Sequence, residues 1–96
     1  MNEINGCFVI VRSNMSGVWM GRLLTQTQSS RVLTEARRCY AWEGALSCSE
    51  LATCGPSGGR VCGPVSRVEI DRAPGDEMIS MAEAAILAFS KIPAAQ

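Results

Sequence analysis

Ala36-Arg37-Arg38-Cys39-Tyr40-Ala41-Trp42-Glu43-Gly44-Ala45-Leu46-Ser47 decides how this chain is read, because it joins a strand-like run to the start of a helix. It holds two arginines, the only tyrosine and one of the two tryptophans. As a strand, its side chains alternate between faces, so Arg38, Tyr40 and Trp42 share one surface and Arg37, Cys39 and Ala41 the other. One guanidinium and two aromatic rings on a common face suit a flat, anionic ligand.

Downstream, Ser47 and Glu50 match the Ser-x-x-Glu capping box, and Leu46 and Leu51 stand at hydrophobic-staple positions. A short helix over 47–54 follows, closed by Gly55-Pro56. Residues 55–64, rich in glycine and proline, read as a mobile surface loop carrying Arg60. They lack the Gly-Lys-[Ser/Thr] ending of a phosphate-binding loop.

Upstream, Cys7–Arg12 is a β-branched and aromatic run closed by the turn-like Ser13–Gly17, and Val18–Leu24 resumes as a second strand. Gly21 inside it predicts a bulge or a close backbone approach. Arg31–Thr34 and Ala36–Trp42 form one bent strand or two short ones. Val65–Ile70 alternates apolar and polar residues, and Glu77–Ile79 is a last short strand. Ser80-Met81-Ala82-Glu83 repeats the capping-box pattern ahead of a main helix over 81–91, whose stripe is Ala82, Ala85, Ile86, Phe89 and Ile92. Leu87 lies off that stripe and points to a second apolar contact.

The fold class is therefore α+β in a single domain, 1–96: a bent antiparallel sheet, or its closed variant, a small SH3-like barrel, with helices near 47–54 and 81–91. A chain of 96 residues supports one modest core, which favours a compact homo-oligomer.

Composition narrows the function. Hydrophobic residues make up 47% and charged ones 19%, too apolar for disorder, yet no apolar run is long enough to span a bilayer. Nine basic residues balance nine acidic ones, which removes the overall pull toward duplex nucleic acid. The N-terminus, Met1–Gly6, lacks the basic and apolar regions of a secretory signal, so cytoplasmic residence is expected. Five cysteines occur without Cys-x-x-Cys spacing and no histidine is present, which argues against a metal site and against His-dependent nucleophiles. No catalytic residue and no cofactor is assigned. A hydrolase using Glu43 or Glu50 as general base ranks last, since Glu50 already has a capping role.

The candidate ligand-binding residues are Trp19, Arg37, Arg38, Tyr40, Trp42 and Ser47. Rings stack on bases, an arginine fork meets phosphate, and the helix start at Ser47 offers free N–H groups. The competing reading places the aromatics in the core and pairs Arg37 or Arg38 with Glu35, Glu43 or Glu50.

Ala36-Arg37-Arg38, Trp42, Gly44-Ala45, Ser47 and Leu51-Ala52 resemble a family of short bacteriophage proteins of unknown function, as do Ser16-Gly17-Val18 with Gly21 and the ending Ile92-Pro93. Ala41 stands where the family pattern has another aromatic, and Cys39 and Cys48 replace aliphatic residues. The resemblance implies an accessory protein in the host bacterial cytoplasm. Its ligand would be a nucleotide-derived immune signal, a cyclic dinucleotide or ADP-ribose derivative, sequestered without catalysis. Alternatively its target is a host defence protein, bound directly as an interaction module.

Overall fold

A computed structural model describes residues 6–14 and 16–94. The expectations placed on Met1–Asn5 and on Met15 in the first loop lie outside the described residues. Six strands and two helices follow one another: β1 (Phe8–Ser13), β2 (Gly17–Gln26), β3 (Ser30–Glu43), α1 (Cys48–Cys54), β4 (Gly58–Val61), β5 (Val68–Asp71), β6 (Glu77–Ser80) and α2 (Glu83–Ser90). The strands form one antiparallel sheet in the order β4-β3-β2-β1-β6, and β5 pairs with β3 off that path.

The two halves of β3 explain the bend. Its first half, Ser30–Leu33, pairs with β5, and its second half, Cys39–Glu43, pairs with β4 along the same edge. An Ala36–Val65 bridge lies between them. Between Thr34 and Arg37 the register with β2 slips by one residue, and Glu35 takes up a positive φ of 51°. Gly21 stands opposite, where a Cβ would come within 3.1 Å of Ala36 Cα and of Thr34 O. The bulge expected at Gly21 is thus present, with the extra residue on β3.

Both faces of the sheet are buried at its centre, which is why Val9, Ile10 and Val11 read as an unbroken apolar run. One face packs Ile10, Met20, Cys39 and Val61 under Leu51 and Ala52 of α1 and Phe89 of α2. The other gathers Val9, Val11, Leu23, Leu33, Ala36 and Ile70, with Trp19 and Met78 at its margin. We call these the helix-bearing face and the open face.

The sheet does not close. β4 and β6 end the strand order without pairing to each other, so the SH3-like barrel gives way to an open sheet. Both are only four residues long, and the chain leaves β6 through Met81 N–H to Phe8 O and Ala82 N–H to Ala52 O, which turn it into α2 rather than toward β4.

α1 begins as expected. Ser47 Oγ accepts the Glu50 N–H at 3.1 Å, and the Gly55 N–H closes on Leu51 O at 2.9 Å. The staple does not form, since Leu46 is 95% exposed. Replacing Ser47 with Ala should lower stability by about 1 kcal/mol, read from the urea midpoint. α2 is shorter than 81–91 and has no capping box: Ser80 pairs with Val9 in β6, and Ala82 occupies the N-cap without a side-chain bond. Residues 55–64 are not simply a loop, because Gly58–Val61 pair with β3. The strand expected at Val65–Ile70 starts only at Val68.

Candidate binding face

The two adjacent arginines of β3 part company. Arg37 points to the helix-bearing face and is only 8% exposed. Its Nε donates to Cys62 O at 2.7 Å, one Nη to Phe89 O at 2.8 Å and the other to Ile92 O at 2.7 Å. It therefore ties the carbonyls ending α2 to the sheet, where a cation is favoured by the helix dipole.

Arg38 points to the open face, paired in register with Trp19. Its guanidinium lies 5.8 Å from the Trp19 ring centre and 5.4 Å from that of Tyr40, both within cation–π range. Gly17 makes room for it: a Cβ there would stand 3.0 Å from Arg38 Nη2 and 3.1 Å from Nε. Trp19 is itself fixed, with its indole N–H donating to Ser16 O at 2.9 Å and its ring packed on the open-face core. Tyr40 is 61% exposed.

Trp42 and Ser47 do not join this cluster. Between Cys39 and Ala41 the register with β4 slips by one residue, and the bulged residue is Tyr40. The slip reverses the alternation, so Cys39 and Trp42 both pack on the helix-bearing core. Ser47 caps α1, whose buried residues belong to that same core. Of the six residues proposed from sequence, Trp19, Arg38 and Tyr40 meet on the open face; Arg37, Trp42 and Ser47 serve the helix-bearing one. The pairings foreseen for Arg37 and Arg38 do not form either, since Glu35 holds Arg22 at 2.8 Å.

One residue was missed. Arg60 pairs in register with Ala41, and because its neighbour Val61 is buried in the helix-bearing core, alternation puts Arg60 on the open face beside Tyr40. The available signal was the pair Gly58-Gly59, since glycine in a strand marks close backbone approach. A Cβ on Gly59 would indeed collide with Ala41 O. Among the described residues the ion pairs are Arg12–Glu77 and Arg22–Glu35, so Arg38 and Arg60 face outward with no carboxylate bound to them.

Cys39, Cys48, Cys54 and Cys62 are free thiols, and burial pushes that of Cys39 up to about 12. Burial likewise raises Cys48. Among the described residues no group of three potential metal ligands converges. Iodoacetamide at pH 8 should therefore label exposed Cys54 quickly and Cys39 only after unfolding, as mass spectrometry would report. The Cys39 shift also makes stability fall at alkaline pH. The folded state keeps its proton while the unfolded thiol ionises, so the loss begins near the ordinary value of 9.0 and continues to about 12.

A cavity of about 400 Å³ lies elsewhere, on the helix-bearing face between α2 and the Phe8 end of the sheet. None of Trp19, Arg38, Tyr40 and Trp42 lines it. No helix among the described residues is long and apolar enough to cross a membrane.

An open, bent antiparallel sheet with helices on one face and an arginine within cation–π range of two rings on the other defines a small α+β domain. Residues 6–89 match the family described as Domain of unknown function (DUF6948), and the chain belongs to that family. No curated protein and no solved structure is significantly similar to it.

Proposed function

We propose that this protein is a non-catalytic interaction module that docks on another protein through Trp19, Arg38, Tyr40 and Arg60 on the open face. The observation that carries the reading is the Arg38 guanidinium, within cation–π range of both Trp19 and Tyr40 and with no carboxylate of the described residues bound to it. Tryptophan, tyrosine and arginine are the side chains that dominate interface hot spots, and stacking holds the arginine fork ready for a partner's carboxylate. The likeness to short bacteriophage proteins makes a host defence protein the natural target, bound in the bacterial cytoplasm.

The tagged protein should recover one stoichiometric partner from bacterial lysate, and Arg38→Ala should weaken that complex by at least about tenfold, the loss typical of a hot spot. The variant's unfolding free energy should stay within about 1 kcal/mol of the parent, because only a partly exposed cation–π contact is removed. Equal recovery by Arg38→Ala would contradict the reading.

A second reading, sequestration of an anionic nucleotide, draws on the same free guanidinium and on the exposed Tyr40 ring, which together suit a base and its phosphate. It ranks second because the cavity lies on the other face and leaves these residues on an exposed surface. Calorimetric titration with cyclic dinucleotides and cyclic ADP-ribose isomers separates the two. Heat that disappears in Arg38→Ala would put the nucleotide first.

A further inference from the structure

The cavity on the helix-bearing face is independent of the open-face reading. At about 400 Å³ it falls within the size range of small-molecule sites. Phe8, Met20, Ile86, Phe89 and Ile92 supply much of the apolar wall, and Glu35, Arg37 and Ser90 are its polar side chains.

The charges of those three do not balance. The Glu35 carboxylate is held by Arg22 Nε at 2.8 Å, and Arg22 in turn lies over the Phe8 ring at 4.7 Å, so that negative charge is already matched. The Ser90 hydroxyl donates to Leu87 O at 2.6 Å. Arg37 is different: its three hydrogen bonds all go to uncharged main-chain carbonyls. A guanidinium has five N–H donors, so two remain, and among the described residues its positive charge is met by the partial negative end of α2 and by no ion pair. A largely apolar cavity therefore carries, at Arg37, one positive charge that no carboxylate of the described residues binds.

We propose that this cavity binds a small amphiphilic monocarboxylate, its hydrocarbon part against Phe8, Met20 and Ile86 and its carboxylate at Arg37. A single negative charge complements the site better than a phosphate dianion, because Glu35 stands in the same wall and the helix end already offsets part of the arginine's charge. The ligand is recognised by an arginine that also fastens α2 to the sheet, so occupancy should tighten that attachment.

Decanoate, decylamine and decanol, each titrated below its micellar concentration into the intact chain, test the proposal by amide chemical shifts. Decanoate should bind at least about tenfold more tightly than the other two, with shifts centred on Phe8, Arg37 and Ile86, the ratio a single charge contact of ordinary strength provides. Ile86→Trp, which fills the cavity, should abolish the decanoate shifts. Should that variant fail to fold, the location of the shifts in the unaltered protein decides. Absence of decanoate binding, equal binding of the three compounds, undiminished binding by folded Ile86→Trp, or shifts centred away from the cavity would each overturn the proposal.

Discussion

Arg37→Met is expected to destabilise the protein by on the order of 3 kcal/mol or more, a large fraction of the stability of a domain this size. The methionine roughly fills the aliphatic volume but leaves Cys62 O and Ile92 O without the arginine donor, while Phe89 O loses its Nη contact and keeps the Ile92 N–H at 3.0 Å. Buried acceptors stripped of their partner carry their desolvation cost in full, which exceeds the value of the bonds themselves. Two of the three carbonyls lie at the end of α2, so the loss should appear first as loosening of that helix. Arg37→Lys should recover only part of the deficit, because one ammonium cannot present a planar fork to three separated carbonyls. Urea unfolding monitored by circular dichroism checks both variants, and amide exchange in α2 shows where the loss falls.

The second large effect is expected at Gly55. Its φ of 75° lies in the region that favours glycine, and a Cβ there would stand 2.5 Å from Ala88 Cβ and 3.0 Å from Ala85 Cα. Two independent constraints thus meet at one atom: the left-handed backbone that ends α1, and the close approach of α1 to α2. Gly55→Ala should cost about 2–4 kcal/mol, combining overpacking of a close helix contact with the strain of a positive φ. A thermal midpoint unchanged within error would mean that the two helices do not pack as described.

Much of the fold was legible because its signals were local. β-Branched runs located β1 and β2, Glu77–Ile79 marked β6, and Ser47 with Glu50 fixed the start of α1 to the residue. Gly21 betrayed a bulge whose extra residue turned out to be on the neighbouring strand. Local patterns failed where the deciding contact was distant. Ser80-Met81-Ala82-Glu83 has a capping-box spelling, yet Ser80 is drawn into pairing with Val9, seventy-one positions earlier, and so cannot cap. Gly58–Val61 look like loop by composition and become strand because the edge of β3 needs partners and only glycine fits against Ala41.

The binding face was half legible for the same reason. Alternation correctly put Arg37 and Arg38 on opposite sides, and from there the bulge at Tyr40 reversed the phase and sent Trp42 into the core. No property of Tyr40 itself announces a bulge. What sets it is the register with β4, a strand that composition had assigned to a loop. The consequence is functional as well as geometric, since the reversal leaves Tyr40 and Arg60 outward and removes the ring expected to complete a nucleotide clamp.

The open face is thus the surface proposed to meet a partner. Photo-crosslinking from position 40 tests this directly, with a benzoylphenylalanine placed there and, for comparison, at Leu87, which is 59% exposed on α2. Irradiation in bacterial lysate should join position 40 to the same partner recovered with the parent protein and leave position 87 unlinked. Crosslinking to that partner from position 87 and not from position 40 would contradict the account.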